Sequence, residues 1–344
     1  WKNGLLLNKK YLNKNGDTIK TIRNEYEMNH IKNSLSDYNS NSITKIGFAV
    51  DMEIVPSKIQ LVNISGNTLE GDIFYVKNKI NYIESAKIEN TSTTIKDFFQ
   101  NNSVETKVMN SYYGSDVNTP INLKNEKTIF SDESTIETAY QYAYEKGNQK
   151  LIDANMVGIP LDTEVKKDGK TISKAETKYD NPVNLLPSSV LSYNMQSNTP
   201  STEVTYDIYD GKRNLIQYTT KAGVSTSIIW GYNQTQPIAK IEGAKLSDIT
   251  QTLINSIVNA SDDTNANYSE STLLNQLDAF RIALPNFQIS TYTYKPLIGV
   301  TTITPPSGIR EYYFYDTANR LESVKTNENG VLTTLKEYQY HYKP

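Results

Sequence analysis

Two stretches decide how this chain is read: Tyr209-Asp210-Gly211-Lys212-Arg213-Asn214-Leu215-Ile216-Gln217-Tyr218, followed by Gly223, and Tyr315-Asp316-Thr317-Ala318-Asn319-Arg320-Leu321-Glu322-Ser323-Val324, followed by Gly330. They are variants of one unit. The tyrosine closes a strand, Asp with Gly or Asn makes a turn, Leu starts the return strand, and the later glycine opens the next hairpin. Internal repetition of such a unit predicts an array in which each hairpin buries its face against its neighbours.

The composition around these stretches is that of strands and turns. Tyr 25 against Phe 8 is unusual, and it comes with abundant Thr, Ile, Asn and Ser. Tyrosine suits a thin sheet, because its ring packs while its hydroxyl reaches a polar partner or water. The pattern predicts a mainly β chain: an antiparallel, hairpin-built sheet, extended or partly closed, with two small helical insertions. Residues 1–130 read as an N-terminal hairpin region. Within it Tyr11-Leu12-Asn13-Lys14-Asn15-Gly16-Asp17-Thr18 suggests a hairpin with a primed turn, and Ser65-Gly66-Asn67 another turn. In 131–158 the spacing of Ile136, Ala139, Tyr140, Ala143 and Tyr144 predicts one short helix, broken near Gly147. Residues 159–243 return to strands, with a hairpin turn at Asp168-Gly169. The second helical insertion covers 244–284, where Leu246, Ile249, Leu253 and Ile257 fall on one face. Residues 285–344 are strands again.

At the repeated units the chain resembles YD-repeat, or RHS, proteins, whose Tyr-Asp-x-x-Gly-Arg-Leu pattern the second copy follows with Asn319 in the glycine position. Ile229-Trp230-Gly231-Tyr232-Asn233 and Tyr294-Lys295-Pro296-Leu297-Ile298-Gly299 are similar to RHS-repeat proteins of the Bacteroidetes. The resemblance implies an internal part of a large secreted, surface-displayed protein, exported by type IX secretion and acting as a scaffold or adhesin. It also implies a protein partner at the cell surface or in the secretion machinery, and it leaves open a glycan ligand and a shell around a C-terminal toxin. The family's self-cleaving Asp-Pro-x-Gly-Leu element is not matched, since the nearest string carries Lys295 in the aspartate position.

Several function classes lose their chemistry on composition alone. Zero cysteines remove thiol catalysis and thiolate metal sites. Lys+Arg 35 against Asp+Glu 38 gives 35 − 38 = −3, without the basic, aromatic-interleaved runs of a nucleic-acid groove. No apolar run is long enough for a membrane helix, and Trp1-Lys2-Asn3-Gly4 lacks the apolar region of a signal peptide, so an export signal is expected upstream. With only His30 and His341, a catalytic triad or multi-histidine metal centre has little to build on. The pairs Asp51 with Glu53 and Asp262 with Asp263 read as solvated loop carboxylates, and Ser261-Asp262-Asp263-Thr264-Asn265 lacks the spacing of a calcium loop. The chain is therefore expected to be non-enzymatic, without cofactor or metal. Trp230 and Tyr232 remain candidates for stacking on a ligand, against a plain packing role; Trp1 shares that ambiguity. Thr18 and Thr317, in Asp-Thr-apolar strings, resemble O-glycosylation sites of the same bacterial group.

Overall fold

The computed structural model describes residues 5–30, 44–62, 68–99, 102–114, 121–263, 270–328 and 330–340, and side chains among these except at 28–30, 44–62, 68–87 and 328. Trp1, His341, Thr264, Asn265 and the Ser65-Gly66-Asn67 turn lie outside the described residues, as do the side chains of His30, Asp51 and Glu53. The protein is mainly β, with antiparallel pairing throughout, and it divides into two compact units, residues 1–174 and 175–344.

The first unit holds β1 (Asn8–Leu12), β2 (Thr18–His30), β3 (Thr44–Val62), β4 (Thr68–Phe99), β5 (Asn102–Tyr112), β6 (Leu123–Ile129), β7 (Thr135–Gln141), α1 (Gln149–Asp153) and β8 (Asp162–Lys167). β4 is the spine: its first part pairs with β3, and its last part lies between β2 and β5. From β5 each strand pairs with the next, through to β8. β9 (Lys170–Lys178) follows the two-residue turn Asp168-Gly169, both in the left-handed region at φ 49° and 77°, as the hairpin reading required.

The short helix of 131–158 does not form where the spacing of Ile136 to Tyr144 placed it. Residues 135–141 form strand β7, and only Gln149–Asp153 are helical, capped by the Asn148 side chain accepting from the Leu151 N–H. The apolar positions fit both periods: Ile136, Ala139, Tyr140 and Ala143 are at helical spacing, but Ile136, Thr138 and Tyr140 also alternate. Strand neighbours on both sides, β6 and β8, satisfy the backbone of β7 and decide between them. β-branched Thr135, Ile136 and Thr138 favour that outcome, and Glu133 at φ 65° turns the chain into the strand.

The second unit continues with β10 (Ser189–Tyr193), β11 (Pro200–Tyr209), β12 (Leu215–Thr220), β13 (Ser225–Gly231), β14 (Gln236–Glu242), α2 (Gln251–Asp262), α3 (Glu270–Ala283), β15 (Gln288–Lys295), β16 (Gly299–Thr304), β17 (Glu311–Tyr315), β18 (Leu321–Glu328) and β19 (Val331–Glu337). Residues 175–178 of β9 pair with β10, and every strand from there pairs with its successor. In neither unit does the first strand pair with the last among the described residues. Both longer helices fall between β14 and β15. They cover one face of the sheet, where Ile229, Ile238, Ile241 and Ile289 meet Ile249, Ile257, Leu273, Leu277 and Phe280 in a fully buried cluster. Register explains which residues face the helices: Ile241 pairs with Ile289 and Ala239 with Thr291, so alternate residues of three strands share one surface. The insertion is pinned by Arg281 of α3, whose guanidinium donates to the carbonyls of Ile289, Thr304, Pro305 and Pro306.

Candidate functional site

The two Tyr-Asp units adopt the same five-residue turn. In the first, the Asp210 N–H donates to the Asn214 carbonyl at 2.9 Å and the Arg213 N–H to the Asp210 carbonyl at 3.0 Å. The Asp210 carboxylate accepts from the backbone N–H groups of Lys212 (2.9 Å) and Asn214 (2.8 Å) and from the Asn214 side chain (3.0 Å). The second copy repeats this with Asp316 accepting from the N–H groups of Ala318 (2.8 Å) and Arg320 (2.9 Å) and from the Arg320 guanidinium. That guanidinium, first, and then the backbone donors hold the Asp316 carboxyl below the usual carboxylate range. β11 ends at Tyr209 and β12 starts at Leu215; β17 ends at Tyr315 and β18 starts at Leu321. Gly223, at φ 77°, and Gly330, at φ 88°, stand in the turns that follow.

The left-handed residue of the turn is not Gly211. It is Arg213, at φ 70°, and in the second copy Asn319, at φ 59°. Both occupy the position where the family pattern has glycine. A three-residue loop whose last residue is left-handed explains this, since only that residue must reverse its φ to rejoin the strand. The expected primed turn at Asn15-Gly16 is corrected in the same way. Asn13 plays the aspartate: its side-chain oxygen accepts from the N–H groups of Asn15 and Asp17, both at 2.9 Å, and Gly16 alone is left-handed there. Phe130–Ser134, with Glu133 left-handed, and Thr220–Val224, with Gly223, close by the same pair of backbone bonds.

The tyrosines of the motif bind backbone. Tyr209 donates its hydroxyl to the Pro187 carbonyl at 2.8 Å and Tyr315 to that of Val300 at 2.9 Å, in each case at the start of the paired, preceding strand. The same bond recurs outside the motif: Tyr142 to Leu123 (2.8 Å), Tyr112 to Asn90 (2.9 Å), Tyr340 to Leu321 (2.8 Å) and a longer one from Tyr26 to Leu6 (3.3 Å). Trp230 substitutes for tyrosine between β13 and β12, its indole Nε1–H donating to the Leu215 carbonyl at 3.0 Å. A phenol hydroxyl or indole N–H thus ties its strand to a backbone carbonyl in, or next to, the strand it pairs with. Burial pushes the hydroxyls of Tyr112, Tyr142 and Tyr315 above the ordinary phenol range, and that of Tyr209 up to about 12, so all are protonated donors at neutral pH. Nothing in sequence spacing announces these bonds, which span unequal separations along the chain; the tyrosine excess was their only trace.

Both ligand-stacking candidates are engaged within the fold. Tyr232 packs against the helix-covered core, stands edge-on to Tyr294 with ring centroids 5.7 Å apart, and accepts the Tyr294 N–H at its hydroxyl, 2.9 Å away. It opens a left-handed run, Tyr232, Asn233 and Gln234 at φ 51°, 57° and 61°. That run is gripped from both sides, by Ser261 and Asp262 at the end of α2 and by Lys212 and Asn214 of the first Tyr-Asp turn. Asp262, proposed from sequence as a solvated loop carboxylate, therefore fixes a backbone turn. Thr317 is exposed at the tip of its turn, whereas Thr18 is half-buried as the first residue of β2. Among the described residues no group of three or more His, Asp or Glu side chains could hold a metal ion, and no helix is long and apolar enough to cross a membrane.

No protein-family model matches the chain, and no curated protein does. Solved structures that match along most of it include a complex of TcdB2–TccC3 with Cdc42, at 10% identity over 97% of this chain and 19% of that one, with a TM-score of 0.35. The Tc holotoxin pore of Photorhabdus luminescens matches at 14% identity over 93% of this chain and 16% of that one, with a TM-score of 0.34. A porin-like protein from Bacteroides uniformis matches at 14% identity over 90% and 91%, with a TM-score of 0.18. The chain spans under a fifth of the toxin chains it matches. At such TM-scores none of these likenesses fixes a fold or a function.

Proposed function

We propose that this chain is a non-catalytic scaffold segment, a serial array of Tyr-Asp hairpins of the YD-repeat type. One observation carries the reading: the polar groups of the repeated motif are spent on the protein's own backbone. The hydroxyls of Tyr209 and Tyr315 close hairpins, and the carboxylates of Asp210 and Asp316 hold turns. A catalytic acid, base or nucleophile needs its polar atoms aimed at a substrate, and these are aimed inward.

The family resemblance supports a finer reading, in which the scaffold belongs to a secreted, surface-displayed protein exported by type IX secretion and meets a protein partner there. Two experiments test the proposal. Purified chain is screened against ester, glycoside, peptide and phosphoester substrates, and turnover of any of them removes the non-catalytic reading. In the producing cell, fractionation and surface proteolysis locate the polypeptide, and an in-frame deletion of residues 175–340 is scored for attachment. Surface location with lost attachment is expected; a cytoplasmic polypeptide, or wild-type attachment in the deletion, sinks the display role.

A further inference from the structure

We infer that Asn15 is a site of spontaneous chemical modification, converting to aspartate and isoaspartate through a cyclic imide formed with Gly16. Three turn tips of the described chain pair an Asn or Asp side chain with a following glycine: Asn15-Gly16, Asp168-Gly169 and Asp210-Gly211. Glycine matters because, without a Cβ, its nitrogen can approach the preceding side-chain carbonyl closely. In two of the three the side chain is already held. Asp168 accepts the Thr135 N–H at 2.7 Å, and Asp210 accepts two backbone N–H groups and the Asn214 amide. The Asn15 side chain makes no hydrogen bond among the described residues, and both Asn15 and Gly16 are exposed. It is also an amide, whose nitrogen leaves as ammonia, whereas a carboxylate must first be protonated to react.

The step needs only water. The Gly16 nitrogen gives up its proton and forms a bond to the side-chain carbonyl carbon of Asn15; the bond from that carbon to the amide nitrogen breaks, and ammonia departs with the proton. Water then opens the ring at either carbonyl, leaving aspartate or isoaspartate. What opposes it is the bond from the Gly16 N–H to the Asn13 carbonyl, 3.1 Å long and at an exposed tip, where opening is frequent. The outcome has a structural consequence. Isoaspartate adds a backbone atom to a loop whose ends are held by the Asn13 N–H on the Asp17 carbonyl at 2.9 Å, and either product sets a new charge near the Asp17 carboxylate. The β1–β2 hairpin loosens at its tip. The chemistry is local to the turn and holds whether or not the chain is a scaffold.

The test is peptide mapping of the full chain after incubation in mildly alkaline buffer, with isoaspartate quantified enzymatically. A parallel sample in denaturant gives the conversion of the same residue in the unfolded chain. Asn15 is expected to convert in the folded protein within several-fold of the denatured rate, while Asp168 and Asp210 stay unisomerised; Asn15→Gln abolishes the product. Folded protein that keeps Asn15 as the amide while the denatured sample converts overturns the inference, as does equal isomerisation at Asp168 or Asp210.

Discussion

Moving one glycine by two positions should stabilise the second unit. Arg213 sits at φ 70° in the first Tyr-Asp turn, while Gly211, two residues earlier, has no left-handed φ and an added Cβ there would meet nothing within 4 Å. A left-handed non-glycine residue costs about 1–2 kcal/mol, and glycine returns about 0.5–1 kcal/mol of that through its greater freedom in the unfolded chain. Arg213→Gly should therefore gain about 0.5–1 kcal/mol. Nothing is lost with the side chain, since Arg213 is exposed and makes no side-chain hydrogen bond or ion pair among the described residues. Gly211→Ala adds about 0.4–1 kcal/mol by restricting the unfolded state. Together they should raise the melting temperature of a unit of this size by about 2–8 °C, read by differential scanning calorimetry. The second copy is the internal control. Asn319 holds the same φ, but asparagine tolerates the left-handed region, so Asn319→Gly should change stability by no more than a few tenths of a kcal/mol. A lower melting temperature for Arg213→Gly, or equal gains at both copies, would refute the assignment of the strained position.

Tyr315→Phe keeps the ring and deletes the bond to the Val300 carbonyl, and denaturant titration should show a loss of about 1 kcal/mol; no loss would mean that the hydroxyl closes nothing. Gly231→Ala sets a methyl against Ser261 Oγ and, at 2.9 Å, against two carbons of Ile238. It should cost about 1–3 kcal/mol and increase hydrogen exchange in α2, where an overpacked neighbour would be felt first. Phe280→Ala empties a position only 1% exposed under the helices and should cost about 3–5 kcal/mol, so that its melting transition separates from that of the first unit. Alkaline titration tests the tyrosine bonds collectively. The Tyr209 hydroxyl rises from 10.0 to about 12 on folding, so its contribution is full below pH 10 and is lost as pH climbs from there toward about 12. Near-ultraviolet spectra should show delayed ionisation that coincides with loss of β circular dichroism; tyrosines that all titrate near pH 10 in a still-folded chain would contradict it.

Strand, turn and hairpin were legible because they are written in local chemistry. Tyr209 to Leu215 and Tyr315 to Leu321 declare their ends through side chains that bind their own backbone within five residues, and the helical spacing of Ile249, Leu253 and Ile257 declares a face that must be covered. Residues 131–158 misled because Ile136, Ala139 and Tyr140 satisfy two periods at once, and only the presence of β6 and β8 on either side chose the strand. The left-handed position was not legible, since Gly211 permits that conformation without requiring it, and the loop length placed the reversal at Arg213. What the amino-acid order by itself determined is an antiparallel chain of hairpins with a helical insertion between two strands of the second unit. Tertiary structure alone decided where each aromatic side chain spends its polar atom. Tyr142, Tyr209, Tyr315 and Trp230 reach carbonyls 15 to 22 residues away, and a hydrogen bond depends on the distance across a strand pair, which no separation along the chain encodes.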